Sequence, residues 1–269
     1  MELQFRGMER RTVQADRPYP TSLAQATAAA KVLHVFVAFE QRAAWTLADL
    51  AEHLELPKST LHRLLHTLKE FGFVHQEQRD APYRLGYRTW AMAQRGSEHE
   101  QLALRAKPIL SDLVATTSET AFLAVREGLH AFCVARVNTP QDVRLLIEVG
   151  SANPLHKGAS NTVLLAYTDE IERSMILSQT VLEPSERIAA EDEMRRIVAQ
   201  AYAYSSEQLT VGAAAVGVPV FDGDGRIAAC LSIGAPAYRL DHERAISFLP
   251  ALRSAARALE ARVGAARIA

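Results

Sequence analysis

A short polar run at positions 58–66 holds the side chains best suited to binding chemistry. The hydrogen-bond donors in this run are Lys58, Ser59, Thr60, His62, Arg63 and His66. They share a predicted helix with an apolar stripe formed by Leu61, Leu64, Leu65 and Leu68. On such a helix an arginine can bond guanine bidentately, while Ser, Thr and Lys can hold phosphates. The run therefore predicts contacts with double-stranded promoter DNA. An amphipathic helix with a solvated polar face is the alternative.

The sequence before this helix predicts a second helix and a tight turn. Thr46 can accept a hydrogen bond from the backbone N–H of Asp49, which opens a helix over the residues that follow. Pro57 then stands at the start of the polar helix, and Gly72 stands at its end. Residues 46–72 therefore predict a helix-turn-helix, the motif that places the start of its second helix in the major groove.

A hairpin is predicted directly after the second helix, at residues 73–85. It would make the unit a winged helix, with Arg79 at the tip and Arg84 on the return strand as contacts to the DNA backbone. Solvated charges are the alternative for both arginines. The predicted DNA-binding residues are Thr46, Lys58, Ser59, Thr60, His62, Arg63, His66, Arg79 and Arg84.

Composition limits the class of protein. The 269 residues, 48% of them hydrophobic, suffice for two domains with real cores. Cys133 and Cys230 lie in apolar runs without a C-x-x-C or clustered histidines, which indicates reduced core thiols, no zinc site and no cofactor. No stretch reaches the roughly 18 apolar residues of a membrane span, and no signal peptide is recognisable. A cytoplasmic protein is expected.

Charge is distributed unevenly along the chain. Residues 1–97 hold 13 Lys and Arg against 10 Asp and Glu, a net charge of +3, so the whole-chain net charge of −1 leaves −4 for the remainder. The sign agrees with a DNA-binding N-terminal part. Such a small excess limits non-specific affinity without excluding binding through a local basic face.

Four parts are predicted along the chain. A mobile arm spans 1–20, a winged helix-turn-helix with a first helix over 22–39 spans 21–85, a linker helix spans 86–100, and a second domain spans 101–269. The arm could place arginines in a minor groove or be a disordered tail. The linker helix could pair with its twin in a dimer or simply separate the domains.

Alternating segments and flanking helices predict an antiparallel α+β fold for the second domain. Strands are predicted over 120–126, 131–137, 144–149, 212–221 and 226–233, and helices over 102–117, 158–168, 169–179, 186–203 and 240–263. The run Asp222-Gly223-Asp224-Gly225 is predicted to be a hairpin turn. A calcium loop that started at Asp222 would need a carboxylate where the chain has Ile233.

The small residues that follow Pro154 predict a binding site for a carboxylate. Gly158, Ala159 and Ser160 would open a helix whose free N–H groups attract anions, and His156 or Lys157 could add charge. The alternative is that the small residues only permit close helix packing. The sequence contains no G-x-S-x-G elbow, Walker loop or H-E-x-x-H motif, so an enzyme is not predicted.

Taken together, the two halves resemble the isocitrate-lyase-regulator (IclR) family of bacterial transcription factors. The resemblance covers nearly all of 22–263. It rests on SLAQATAAAKVLHVF from position 22, LPKSTLHRLLHTLKEFGFV from 56, YRLG at 83–86, PLHKGAS at 154–160 and VGVPVFDGDGRIAACLSIGAP at 216–236. It implies a winged helix joined by a linker helix to a GAF-like effector-binding domain, in a homodimer or homotetramer on a partly palindromic operator. Such regulators control small-molecule catabolism and respond to organic or aromatic acids.

The resemblance also implies a set of effector-binding residues. Together with His156, they are Leu145, Ala159, Ser160, Ser205, Ala215, Ser232 and Gly234. The chain departs from the family pattern at Asn161-Thr162, where a Gly-Lys pair is usual, at Ala215, which replaces a Cys, and at Gly234, which replaces a Ser. These changes are expected to remove polar groups and volume, which predicts a ligand larger or more apolar than a simple keto acid.

Two functions of other classes remain open. A winged helix used for protein contact would show little dependence of DNA association on salt, because no counterions would be released. An enzyme with a helical assembly domain would turn over one of the candidate acids.

Overall fold

The structure is a computed structural model that describes residues 26–93, 98–145, 147–181 and 183–264. Its contacts divide the chain into two compact units, with the boundary between Ser97 and Glu98. The predicted arm at 1–20 lies outside the described residues.

The first unit is a winged helix-turn-helix, as the sequence predicts. Its described elements are α1 (Ala28–Gln41), α2 (Leu47–His53), α3 (Lys58–Glu70), β1 (Val74–His75), β2 (Arg84–Leu85) and α4 (Tyr87–Ala93). Strands β1 and β2 pair antiparallel. Trp45 extends this hairpin through an isolated bridge to Tyr83.

Side-chain caps and one left-handed residue set the helix boundaries of this unit. Thr27 caps α1, which begins at Ala28, and residues 22–25 of the helix predicted over 22–39 lie outside the described residues. Thr46 Oγ1 accepts from the Asp49 N–H at 3.1 Å, which confirms the predicted cap of α2. Between α2 and α3 the backbone turns at Glu55, whose φ of 52° lies in the left-handed region. This turn separates the two helices of the motif.

The leucine stripe of α3 forms the core of the first unit. Leu61 and Leu65 of α3 and Leu50 of α2 have no exposed surface. Trp45, which is 3% exposed, donates from Nε1 to the Ala38 carbonyl of α1 at 3.0 Å. These contacts hold α3 with its apolar side inward, and its polar side therefore faces outward.

The second unit is an antiparallel sheet between two layers of helices. Its described helices are α5 (Glu98–Thr117), α6 (Ala159–Ala166), α7 (Glu170–Thr180), α8 (Pro184–Gln200), α9 (His242–Ser247) and α10 (Leu249–Gly264), and its described strands are β3 (Thr120–Glu127), β4 (His130–Val137), β5 (Ala152–Pro154), β6 (Ala203–Ser206), β7 (Ala213–Phe221) and β8 (Ile227–Pro236). Within the described residues the strand order is β5-β4-β3-β8-β7-β6. The predicted α+β class is confirmed.

The two faces of the sheet serve different cores because side chains alternate along each strand. Ala121, Leu123 and Val125 of β3 pack with α5 and α10 on one face. Ala124 of the same strand and Cys230 of β8 pack with α6, α7 and α8 on the other. Strands β3 and β8 therefore each contribute side chains to both cores.

One predicted strand on this second face is wrong, and one predicted helix ends earlier than expected. The described residues of 144–149 form a loop and not a strand, because the Ile147 carbonyl accepts from Arg136 instead of from a neighbouring strand. The helix predicted over 186–203 ends at Gln200, where Ala201 takes a left-handed φ of 57°, and β6 follows it.

Two further helix boundaries differ from the prediction. The helix predicted over 240–263 is divided into α9 and α10, because Pro250 inside one continuous helix would clash with the carbonyl four residues earlier. Helix α5 begins at Glu98 and not at the predicted start of 102–117, so part of the predicted linker helix 86–100 belongs to it. Residues 94–97 lie outside the described residues.

The Asp-Gly-Asp-Gly run is the predicted turn between β7 and β8. Asp222 Oδ1 accepts from the N–H groups of Asp224 and Arg226, each at 2.9 Å. No group of three or more His, Cys, Asp or Glu side chains in the described ranges is placed to hold a metal ion. No helix of the described chain has the length and apolar content needed to cross a membrane.

Leu65→Ala is expected to lower the free energy of unfolding of the first unit by about 2–5 kcal/mol, because it leaves a cavity in a fully buried core. Chemical denaturation followed by tryptophan fluorescence measures this change, since Trp45 and Trp90 both lie in the first unit and Trp45 belongs to the same cluster. His62→Ala is the matched control on the exposed side of α3 and should change the stability by at most about 0.5 kcal/mol. Equal effects of the two substitutions would contradict the described packing.

Candidate functional site

The polar side of α3 presents four exposed side chains in one row. They are Ser59, His62, Arg63 and His66. The spacing i, i+3, i+4, i+7 places them on a single helix face. The leucine stripe is buried on the opposite side. A partner can therefore contact the whole row while α3 stays packed in its unit.

The other predicted DNA-binding residues flank this row. Lys58 is exposed in the first turn of α3, and Thr60 is half-buried. The N-cap of α3 is Pro57, whose side chain has no hydrogen-bonding group, so the first N–H groups of the helix remain for an external oxygen such as a phosphate. Arg79 and Arg84 are exposed on the wing.

Two of the predicted DNA-binding residues also have partners inside the unit. The Thr46 hydroxyl oxygen caps α2, as described above. His66 Nδ1 lies 3.5 Å from the Glu70 carboxylate one turn along α3. Both residues thus have an internal role, and their contact with DNA stays a prediction.

A cavity of about 300 Å³ lies in the second unit, between the start of α6, the sheet and the loop at 138–151. Its apolar wall includes Phe122, Ala124, Ala131, Leu145, Ile147 and Leu209. Its polar groups include Ser160, Asn161, Ser205 and Gln208. Among the described residues of the wall, Glu148 carries the single charge. This mixture of an apolar wall with a few polar groups is typical of a small-molecule site.

Strand register brings distant residues into one row on the cavity face of the sheet. Ser205 of β6 pairs with Ala215 of β7, Ala215 pairs with Gly234 of β8, and Gly234 pairs with Thr120 of β3. Residues paired in this way point to the same face. Ser205 and Ala215 line the cavity. The β6 end of this row therefore forms the floor of the cavity.

Helix α6 begins at the cavity, and side-chain oxygens accept hydrogen bonds from the N–H groups at its start. The Ala159 N–H donates to Ser205 Oγ at 2.9 Å, and the Gly158 N–H donates to Gln208 Oε1 at 3.0 Å. Because the Ser205 oxygen accepts here, its hydroxyl hydrogen can donate to a ligand. The Ser160 N–H lies in the first turn, where helix geometry provides no acceptor. This end of the cavity suits a carboxylate or carbonyl oxygen.

Asn161 fixes the turn that leads into α6. Its Nδ2 donates to the carbonyls of Pro154 at 3.0 Å and Lys157 at 2.8 Å, and its Oδ1 accepts from the Ser160 hydroxyl at 2.9 Å. The buried amide thus acts as an internal clamp. The expectation that this departure from the family pattern removes a polar group stays a prediction.

Gly158 is required at the same turn. Its φ is 87°, and a Cβ atom there would lie 2.4 Å from Leu209 Cδ1. A side chain would thus be strained and would also collide with the cavity wall.

Two arginines fasten the loop at 138–151. Arg239 Nη2 donates to the Val143 carbonyl at 2.9 Å, and Arg136 Nη1 donates to the Ile147 carbonyl. Arg239 also forms a bidentate ion pair with Glu119, with N–O distances of 2.8 and 2.9 Å. The Glu119 side chain is 1% exposed. A buried ion pair therefore anchors one side of the loop.

Five of the eight predicted effector-binding residues lie on the cavity wall. They are Leu145, Ala159, Ser160, Ser205 and Ala215. Ser232 lies beside the cavity in the next row, with Oγ 3.4 Å from Cys230 Sγ. His156 and Gly234 are absent from the wall among the residues described. Effector binding by any of the eight residues stays a prediction.

Sequence reasoning missed several residues that shape the cavity. Gln208 and Leu209 follow β6, a strand that the pattern did not predict. The ion pair of Glu119 with Arg239 joins residues 120 positions apart. No local motif marks either feature, because both depend on strand pairing across the sheet.

Both cysteines are free and buried, as predicted. Burial raises the pKa of the Cys133 thiol to about 11 and that of the Cys230 thiol to about 12. Both groups are therefore protonated near neutral pH and poorly reactive. Cys133 presents a neutral thiol to the cavity wall.

Comparison with known proteins gives the same family for both units. A sequence model described as the IclR helix-turn-helix domain matches residues 28–78, and one described as bacterial transcriptional regulator IclR C-terminal matches residues 96–261. The HTH-type transcriptional regulator KdgR of Escherichia coli (strain K12) is 27% identical over 243 residues, which cover 87% of this chain and 91% of KdgR. The glycerol operon regulatory protein of Streptomyces griseus is 30% identical over 248 residues, which cover 89% and 96% of the two chains.

Solved structures share the fold. An IclR homologue from Microbacterium hydrocarbonoxydans, crystallised in complex with 4-hydroxybenzoate, is 26% identical with a TM-score of 0.74, and the match covers 88% of this chain and 99% of the homologue. The IclR transcriptional regulator from Alicyclobacillus acidocaldarius is 25% identical with a TM-score of 0.72, and the match covers 89% and 100%.

Glu119→Ala is expected to lower the free energy of unfolding of the second unit by about 3 kcal/mol, because Arg239 loses its buried partner. The matched control is Glu172→Ala, which breaks another bidentate pair, with Arg126. The Glu172 side chain is 41% exposed, so its loss should cost less than about 1 kcal/mol. Denaturant unfolding followed by circular dichroism compares the two. Equal losses would contradict the structural role given to Glu119.

Proposed function

The chain belongs to the IclR family of bacterial transcriptional regulators, and we propose that α3 enters the major groove of an operator in promoter DNA. The exposed row on α3 carries this proposal. Arg63 can bond the guanine edge bidentately, and Ser59, His62 and His66 extend the same face. Lys58, Arg79 and Arg84 would neutralise phosphates and position the helix.

We further propose that the cavity binds a small organic acid, with an aromatic acid preferred, and that this binding alters operator affinity. The carboxylate would lie at the start of α6, where the Ser205 hydroxyl and first-turn N–H groups can donate. The described wall has no Lys or Arg, so neutral donors would take the place of a cation. The ring would contact Phe122, Leu145 and Ile147. The 4-hydroxybenzoate complex of the Microbacterium homologue supports this class of ligand.

A ligand of this kind changes DNA binding only if it binds one conformation of the protein better than another. A coupling free energy of about 1–3 kcal/mol is usual for such regulation. The loop at 138–151 supports this proposal, because it contributes Leu145 and Ile147 to the wall and is fastened at the carbonyls of Val143 and Ile147. We expect the catabolic genes of the acid to be the regulated targets.

Exposed apolar residues on α4 support a homodimer or homotetramer. Three large apolar side chains of this seven-residue helix are exposed: Tyr87 (70%), Trp90 (68%) and Met92 (61%). Such exposure favours burial against another copy of the chain. Two copies would present two α3 helices to the half-sites of a palindromic operator.

Arg63→Ala is expected to weaken operator binding by about 1–3 kcal/mol, the value of one good base contact. Fluorescence anisotropy at fixed salt measures the affinity, with an operator recovered by binding selection from genomic fragments. Arg195→Ala makes the same change in net charge on the second unit, where Arg195 forms an exposed pair with Asp192. This control should leave the affinity within about twofold. Unchanged affinity in Arg63→Ala would give Arg63 a structural role, and a weak salt dependence of the wild type would favour the protein-contact function.

Ser205→Ala is expected to weaken benzoate binding by about 10-fold, because a hydrogen bond to a charged oxygen is lost. Isothermal titration calorimetry measures the dissociation constant. Ser206→Ala is the matched control, since Ser206 is the exposed neighbour on the same strand. Binding restricted to acids of two to four carbons would contradict the preference for an aromatic acid.

A further inference from the structure

Gly234 lies in the floor row of the cavity but is covered by Leu145. Its strand partner Ala215 lines the cavity, and Gly234 points to the same face of the sheet. A Cβ atom at Gly234 would lie 2.5 Å from Leu145 Cδ2 and 3.2 Å from Phe122 Cε1. The expectation that glycine at this position leaves extra volume is therefore wrong. The Leu145 side chain fills that volume.

Leu145 cannot easily withdraw from this position by moving its backbone. The carbonyl two residues before it is held by Arg239, and the carbonyl two residues after it is held by Arg136. Arg239 is itself held by the buried Glu119 carboxylate. A larger residue at position 234 would therefore displace the side chain of Leu145 while the loop stays in place. Leu145 already borders the cavity, so its methyl groups would move into the cavity.

We infer that Leu145 and Gly234 together determine the size of acid that the cavity accepts. Gly234 provides the hollow in which the Leu145 side chain lies, and this arrangement keeps the space beside Phe122 open for an aromatic ring. The inference rests on the proposed function, because it takes the ligand to be an acid bound in this cavity. It adds two points to the proposed function. The acid has one six-membered ring, and Leu145 and Gly234 set this limit on its size.

Opposite changes at the two positions should have opposite effects. Gly234→Ala pushes Leu145 inward and removes space for the ring, whereas Leu145→Ala enlarges the cavity beyond one ring. The backbone of Gly234 does not adopt a positive φ, so alanine is compatible with the strand. In a rigid apolar pocket, one methyl or methylene group changes affinity by about 10-fold or more.

The experiment is a titration of benzoate and 2-naphthoate, by isothermal calorimetry, into four full-length proteins: the wild type, Gly234→Ala, Leu145→Ala and the double variant. The wild type should bind benzoate more tightly than 2-naphthoate. Gly234→Ala should weaken benzoate binding by about 10-fold or more. Leu145→Ala should strengthen 2-naphthoate binding. The double variant should bind benzoate to within about threefold of Leu145→Ala alone, because without the Leu145 side chain the alanine at position 234 has nothing to displace.

Gly217→Ala is the matched control for crowding on the same face. A Cβ atom at Gly217 would lie 2.6 Å from Ser232 Oγ and 2.7 Å from Cys230 Sγ, so its contacts do not involve Leu145. This control is measured alone and together with Leu145→Ala. In the Leu145→Ala background, Gly234→Ala should lose its effect on benzoate binding, whereas Gly217→Ala should keep the effect that it has alone. Loss of both effects would overturn the inference, because it would show a general loosening of the cavity.

The experiment distinguishes failure of the size-limiting pair from failure of the proposed effector site. If the wild type binds benzoate and Gly234→Ala binds it equally well, the size-limiting pair is overturned while the effector site stands. If Leu145→Ala shows no gain for 2-naphthoate, the pair is likewise overturned, and this second variant decides the matter even if Gly234→Ala does not fold. If the wild type binds neither acid, the proposed effector class and the inference both fall.

Discussion

The second unit depends on how it neutralises one buried carboxylate. Glu119 at the start of β3 is almost fully removed from water, which costs several kcal/mol for an unpaired charge. The guanidinium of Arg239 offsets this cost with a bidentate pair, and its Nη2 also donates to the Val143 carbonyl. The loop over the cavity is therefore positioned by the same cation that makes burial of Glu119 tolerable. The contacts of Arg239 thus connect the end of α5, the turn after β8 and the loop over the cavity.

The two units differ in the charges that they present to a partner or ligand. Apart from Glu148, the described wall of the cavity consists of uncharged groups. In the proposed function, neutral donors at the start of α6 would therefore hold the ligand carboxylate. The N-terminal part has an excess of positive charge, and its exposed α3 row combines one arginine with shorter hydrogen-bonding side chains. Charge of this size supports positioning on DNA but little non-specific affinity. In the proposed function, specificity would therefore come from a few base contacts, doubled by a second copy of the chain.

Local patterns in the sequence predict local features well. The cap by Thr46, the leucine stripe of α3 and the turn at Asp222 each depend on residues a few positions apart, and all three are present. The segment at 144–149 shows the limit of this approach. Its alternation of Leu145, Ile147 and Val149 imitates a strand, but Leu145 and Ile147 line a cavity in a loop that distant arginines hold.

Features that depend on pairing across the sheet could not be predicted. The floor row joins β6, β7 and β8, and β6 is not predicted, because its four residues carry no clear alternation and only Ala203 lies inside the helix predicted over 186–203. The contact of Gly234 with Leu145 likewise requires the position of the loop. The family resemblance named five residues of the cavity wall. It did not show that Leu145 fills the volume left by Gly234, since that depends on the neighbours present in this chain.

The most direct test of the whole account is to measure operator affinity while the cavity is filled. The operator recovered from genomic fragments would be titrated with the protein at fixed salt, with and without saturating benzoate, by fluorescence anisotropy. The account predicts a change in operator affinity of at least about fivefold, which corresponds to a coupling free energy of about 1 kcal/mol. Benzoate that binds in the cavity and leaves operator affinity unchanged would contradict it.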